Sequence, residues 1–325
     1  MTSHVDHRYS ESAYQAERAA KIGDVGPTPE YIIERYRRCR LWRLFPKEFV
    51  FKRLGDITGK EILDFGCGEG VISTQLARLG GRVTAIDISP QLIDLAKRRA
   101  DLDGVRDCIN FVVADITESP FPKNKFDSVI CSGALHHVDL RSVMPHLLAC
   151  LKPGGVTIML EPIAFAPLLQ RYRDMLPIEK DASPGERQLN RDDVKFIVGW
   201  FDDSQATFFN LFGRLARLFQ HQNKIDKGHP LTKTALVVLT GLDRLLVSVF
   251  PGLSRFCGII VIVGWKRVGS SGPDDPAAIV KAVTGLLEDP QHALHIARCA
   301  RQEIEQYTWA SVREAWAAVS SARPA

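Results

Sequence analysis

Leu63-Asp64-Phe65-Gly66-Cys67-Gly68-Glu69-Gly70 decides the fold. The stretch Glu61-Ile-Leu-Asp-Phe-Gly reads as a buried strand running into a glycine turn. Glycines at 66, 68 and 70 let the backbone bend sharply and approach a ligand where a Cβ would clash. Val71–Leu79 has helical spacing, Arg82–Asp87 is a second strand, and Gln91–Ala100 a second helix. Ile109–Asp115 and Phe126–Cys131 are the third and fourth strands, and Val143–Leu151 is helical. A Lys152-Pro-Gly-Gly turn then leads to a fifth strand, Val156–Glu161. Short apolar strands alternating with helices predict an α/β doubly wound domain whose mostly parallel sheet is covered on both faces. Gln205–Phe212 and Gly258–Trp265 complete a seven-stranded sheet.

Outside this core, residues 1–57 divide into a loose polar arm up to the Gly26-Pro27 break and a helical cover over Pro29–Leu54. The cover is dense in cations between Arg35 and Arg53. Residues 58–267 form the principal domain, with inserts at 162–200 and 214–255. Residues 268–275 make a linker around Gly269-Ser-Ser-Gly-Pro, and 276–325 a helical tail.

The 325 residues, 45% apolar and 25% charged, exclude wholesale disorder and fibrous repeats. Lys+Arg 42 against Asp+Glu 38 is too even to indicate a nucleic-acid partner. Seven cysteines without a C-x-x-C pair read as reduced thiols of a cytoplasmic protein, with no disulfide frame and no metal site. The stretch Ala235–Phe250 carries Asp243 and Arg244 near its middle, and Gly258–Trp265 is only strand-length, so neither is expected to span a membrane. The basic segment 35–53 has two readings, a solvated helix face or a surface for peripheral membrane contact.

A glycine-rich turn with an acid at the end of the next strand, here Asp87, suits a ribose-bearing ligand. Dinucleotide enzymes share that pattern, so an NAD-dependent oxidoreductase is one alternative and a non-catalytic scaffold another. Asp64, two residues before Gly66, and Glu69 inside the turn disfavour a pyrophosphate, which wants a helix N-terminus free of acids. They favour a ligand bearing a cation.

The sequence resembles the class I S-adenosylmethionine-dependent methyltransferases. The motifs carrying the resemblance occur in order: Leu63-Asp-Phe-Gly-Cys-Gly-Glu-Gly, Ala85-Ile-Asp-Ile-Ser, Ala114-Asp115, Phe126-Asp-Ser-Val-Ile, Leu135-His-His-Val and Leu151-Lys-Pro-Gly-Gly. It is close over Lys60–Glu161 and looser over Pro29–Arg267. It implies S-adenosylmethionine as cofactor, with Asp64, Gly66, Cys67, Gly68 and Gly70 lining the methionine moiety. It further places Asp87 on the ribose hydroxyls, Ile88 on the adenine, Asp115 at the adenine amine with Ile116 alongside, and Ser132 and Gly133 toward the acceptor.

A sulfonium methyl is an activated electrophile, so the protein mainly aligns the reactants and excludes water. A base is needed only where the acceptor loses a proton, as a hydroxyl does. His136, His137 and Glu161 are the candidates, each with the alternative of a structural hydrogen bond. Cys131-Ser-Gly-Ala134 lacks the Asn/Asp-Pro-Pro-Tyr stretch of enzymes that methylate base amines in DNA. The expected acceptor is a small or amphiphilic molecule, methylated on oxygen. The last fifty or so residues resemble the closing helices of GT-B glycosyltransferases, without that family's sugar-nucleotide site. This suggests a gene-fusion ancestry in a polysaccharide or glycolipid pathway.

Overall fold

The computed structural model describes residues 14–118, 121–166, 187–211 and 230–266. Its centre is β1 (Glu61–Phe65), hydrogen-bonded in parallel to β2 (Arg82–Asp87) on one side and β4 (Phe126–Ser132) on the other. β3 (Ile109–Val113) extends the sheet beyond β2, and β5 (Leu151–Pro162) beyond β4. β7 (Ile259–Trp265) runs antiparallel between β5 and β6 (Asp203–Phe209), giving the order β3-β2-β1-β4-β5-β7-β6. The strand order reverses at β1 and β4, and the carboxyl ends of those strands form the crevice where doubly wound sheets hold ligands.

Helices follow the strands: α1 (residues 14–22), α2 (Glu30–Arg38), α3 (Pro46–Leu54), α4 (Val71–Arg78), α5 (Pro90–Leu102), α6 (Leu140–Cys150), α7 (Arg191–Val198) and α8 (Pro230–Val249). Alternate residues of the central strands serve opposite faces of the sheet, as period-2 geometry requires. Leu63, Val129, Met159 and Ile262 pack with Val143, Met144 and Leu147 of α6 and Ile197 of α7. Ile62, Ile130, Ile158 and Val263 pack with Phe49 and Val50 of α3 and Leu76 of α4.

Four elements depart from the sequence expectations. The helical cover is two helices, α2 and α3. Cys39 takes a left-handed conformation (φ 44°) that ends α2, and Pro46 starts α3 at the position where proline's missing N–H costs nothing. The buried Glu48 carboxylate holds the joint by accepting from Arg35 Nε (2.5 Å) and the Leu41 amide (2.8 Å).

The arm is not loose between residues 14 and 28. Ala19, Ile22 and Val25 pack on Leu92 and Leu95 of α5. The Asp103 carboxylate accepts from the Thr28 amide (2.9 Å) and hydroxyl (2.8 Å), and Arg78 donates to the Thr28 carbonyl (2.9 Å).

The Lys152-Pro-Gly-Gly turn survives as an irregularity inside β5, whose regular pairing with β4 starts at Ser128↔Val156. The sixth strand ends at Phe209 because Asn210 turns with a positive φ of 62°. The linker, the tail 276–325, and the stretches 167–186 and 212–229 of the inserts lie outside the described residues.

Candidate functional site

The glycine loop leaves β1 at the crevice. At Gly70, φ is 77° and a Cβ would stand 2.6 Å from Ala96 Cβ, so α4 and α5 can meet here only because this residue is glycine. Gly66 is equally close to its neighbour, its Cβ position lying 2.5 Å from Ala134 Cβ. Gly68 differs. Its φ is 54°, yet a Cβ there would meet nothing within 4 Å, so this glycine lines an open cradle.

Beneath the loop, Asp64 is 1% exposed and accepts from Ser73 Oγ at 2.5 Å. Burial pushes its carboxyl up to about 6, the Ser73 hydroxyl works against that shift, and the nearby charge of Asp87 adds to it. A cation entering the cradle would relieve both the burial and the repulsion. The Cys67 thiol is pushed well above its usual value by burial and by the charges of Asp64 and Asp87, so it stays protonated and unreactive.

Asp87 closes β2 on the other side of the loop. One of its oxygens accepts the Gly68 amide (2.9 Å) and the other the Ser89 amide (2.9 Å). A carboxylate offers about four acceptor sites, enough to hold a loop and a diol together. Ile88 is half-buried beside it. Asp115 is half-buried beyond β3, and its Oδ1 takes the amide (2.8 Å) and hydroxyl (2.7 Å) of Thr117. Ile116 points into the core, 2% exposed.

Across the crevice, Ser132 ends β4 and Gly133 follows, its amide donating to the Leu160 carbonyl (2.9 Å). A single 3-10 turn, Leu135–His137, then brings His136 against the end of β5, with His137 beside it. Their rings stand 4.1 Å apart. Glu161, fully buried, accepts the amides of Ala134 and Leu135 on Oε1 (3.0 Å each). Its Oε2 lies 2.7 Å from His136 Nδ1. Both Glu161 oxygens are therefore engaged, and a carboxylate as acceptor favours the His136 tautomer that carries its proton on Nδ1.

Two contributors escaped the sequence reading. Ser73, in the first turn of α4, supplies the hydrogen bond that offsets part of the Asp64 burial. Arg99 Nε donates to the Glu69 carbonyl (3.0 Å) and its Nη1 to the Gly26 carbonyl (3.2 Å), so α5 braces the loop and the arm at once. A serine nine residues after the strand acid was a usable signal. Nothing in the sequence marks Arg99 among its neighbours Lys97 and Arg98. Among the described residues no cluster of His, Cys, Asp or Glu could hold a metal ion, and no helix is long and apolar enough to cross a membrane.

Comparison with known proteins matches residues 63–159 to the methyltransferase domain family. The mitochondrial ubiquinone biosynthesis O-methyltransferase of Schizosaccharomyces pombe is 38% identical over 112 residues, 34% of this chain and 40% of that protein. The demethylmenaquinone methyltransferase of Clavibacter sepedonicus is 35% identical over 175 residues, 50% of this chain and 67% of that protein. A phosphoethanolamine N-methyltransferase structure from Haemonchus contortus is 18% identical, with a TM-score of 0.48, and the match covers 71% of this chain and 57% of that one. The chain spans about half the length of most of the curated relatives it matches. These relatives lend no support to the nicotinamide alternative. With the glycine loop, the strand order and two thirds of a relative's length in common, the chain belongs to the class I S-adenosylmethionine-dependent methyltransferase family.

Proposed function

We propose that the protein transfers a methyl group from S-adenosylmethionine to a hydroxyl oxygen of a small or amphiphilic molecule. The observation that carries this reading is the contact of the glycine loop with the histidine turn, Gly66 against Ala134, which sets the cofactor cradle beside His136. The cradle fits the cofactor. It is open at Gly68, carries a buried carboxylate beneath it, and has a second carboxylate at the end of β2. Bound there, S-adenosylmethionine supplies a methyl already activated toward displacement by its sulfonium. Asp64, Gly66, Cys67, Gly68 and Gly70 would line the methionine end and Asp87 would hold the ribose hydroxyls, with Ile88 packing on the adenine and Asp115 reaching its amine.

Ser132 and Gly133 would border the acceptor. His136 Nε2 would take the hydroxyl proton as the oxygen attacks, and Glu161 would stabilise the resulting imidazolium. Glu161 therefore serves as a positioning residue in this reading. His137, packed on the His136 ring, limits its rotation. An oxygen acceptor agrees with the named activity of the Schizosaccharomyces pombe relative. Peripheral membrane contact through residues 35–53 has less behind it. Arg35 is paired with Glu48, and Arg37 and Arg38 share Glu34, so three of the segment's eight cations are already engaged within the protein.

The test is direct. The full chain is incubated with methyl-labelled S-adenosylmethionine and a lipid-containing metabolite extract, and labelled products are identified by mass spectrometry. A labelled O-methyl product is the expected result. Absence of any labelled product, with no cofactor binding by calorimetry, would overturn the reading.

Asp64 gives a second prediction. A cationic ligand binds best when this carboxyl is ionised, and its value of about 6 sets the window. S-adenosylmethionine affinity should be constant above about pH 7 and fall by up to about tenfold per unit below pH 6. Asp64→Asn should bind more weakly and lose this dependence. A wild-type affinity unchanged between pH 7 and pH 5 would separate Asp64 from the cofactor's positive charge.

A further inference from the structure

Beyond Glu161 one face of the sheet continues as an aromatic rim. β5 and β6 both run antiparallel to β7, so their carboxyl ends lie together. Ile260 of β7 stands opposite Glu161 on one side and opposite Phe208 on the other. Directly opposed residues of antiparallel strands project to the same face with Cβ atoms about 5 Å apart, so Phe208 shares the face of Glu161 about 10 Å from it. The chain leaving β5 stays at this rim. Ile163 bridges Leu189, and the Ala164 amide donates to the Leu189 carbonyl (3.1 Å). Phe165, next along, meets Phe208 edge to face, with ring centroids 6.0 Å apart. Both rings pack on the core and stay half-buried.

The same bridge carries Arg191 to this place. Arg191 opens α7 two residues after Leu189, is exposed, and holds its guanidinium 5.7 Å from the centre of the Phe165 ring. The acids beside it are already committed. Asp192 pairs with Lys195 (3.3 Å), and Asp193 pairs with Arg187 and accepts the Asn190 amide (2.8 Å). Arg191 has no carboxylate partner among the described residues. A guanidinium held against a ring is already oriented, so it loses little further freedom when its fork of donors meets a carboxylate or phosphate.

We propose that the methyl acceptor is an amphiphilic acid, with its hydroxyl at His136, its apolar body over Phe208 and Phe165, and its carboxylate or phosphate on Arg191. This deepens the methyl-transfer reading and rests on it for the ligand's role as acceptor. Charge complementarity selects an acid. A cationic acceptor would meet an uncompensated guanidinium, and a neutral apolar one would leave its donors to water.

Fluorescence titration of the full chain with 11-(dansylamino)undecanoate and with its methyl ester tests the site without requiring turnover. The acid should bind at least about tenfold more tightly than the ester. Arg191→Gln, at an exposed position, should bring the acid down to the level of the ester and leave the ester unchanged. Arg191→Lys, which keeps the charge without the fork, should fall between. Phe165→Ala should weaken both ligands alike. Dodecanoate and dodecyl phosphate should displace the acid, and the stronger competitor identifies the anion. Equal binding of acid and ester, acid binding indifferent to Arg191→Gln, or displacement by neither competitor would overturn the proposal. A neutral labelled product from the metabolite extract would overturn it too while leaving methyl transfer standing. Arg191-dependent acid binding by a chain that binds no S-adenosylmethionine would instead overturn methyl transfer and leave the acid site standing.

Discussion

Glu161→Gln lowers turnover by about a hundredfold or more while leaving cofactor affinity unchanged. The substitution keeps the carbonyl oxygen that accepts the Ala134 and Leu135 amides, so the turn keeps its support. It also places an amide NH2 where Oε2 faced His136 Nδ1. Two donors cannot face each other across 2.7 Å, so Nδ1 gives up its proton and Nε2 takes one. A protonated Nε2 cannot accept a proton from the attacking hydroxyl. The checks are steady-state kinetics and nitrogen NMR of the His136 ring, which should report the inverted tautomer. Unchanged turnover with an inverted tautomer would show that His136 is not the base. Glu161→Ala is a poorer probe, because it strands two buried amides at a cost of about 1–3 kcal/mol each.

Asp87→Ala is the second large effect. Two charge-assisted hydrogen bonds to ribose hydroxyls, each on the order of 1.5–3 kcal/mol, would be lost, and the Gly68 amide would lose its partner. S-adenosylmethionine and S-adenosylhomocysteine should both bind at least tenfold more weakly by calorimetry, and the loss should be similar for the two because they share the ribose. Asp87→Asn keeps one accepting oxygen for one of the Gly68 and Ser89 amides while its NH2 faces the other, and should fall between wild type and alanine. An alanine variant that binds as tightly as wild type would remove Asp87 from the site.

Much of the central domain was legible because its strands are buried on both faces and therefore written as unbroken apolar runs. Ile62-Leu63 and Val129-Ile130-Cys131 are such runs, and the seven-stranded doubly wound sheet followed from them. The turn at Gly66–Gly70 was legible for a different reason, since positive φ and close approach restrict those positions to glycine. What stayed hidden depends on side chains meeting backbone across long sequence separations. The arm read as loose because Ala19, Ile22 and Val25 are sparse, while its anchor is the Asp103 carboxylate 75 residues away. The break at Cys39 was masked by continuous helical composition, although Pro46 offered a signal for a restart. Glu161 was visible as a carboxylate at the end of a strand. Its engagement with two amides and His136 could be read only from the turn at Leu135–His137 folding onto β5.

The brace formed by Arg99 reaches further than local packing. One guanidinium joins the carbonyl of Glu69, in the donor-binding loop, to that of Gly26, in the segment ahead of α2. The amino-terminal region is thus tied directly to the loop through this side chain, beside its other anchors on α4 and α5. Removal of the segment up to Gly26 would free half of this brace, and an amino-terminal truncation here is expected to lower cofactor affinity.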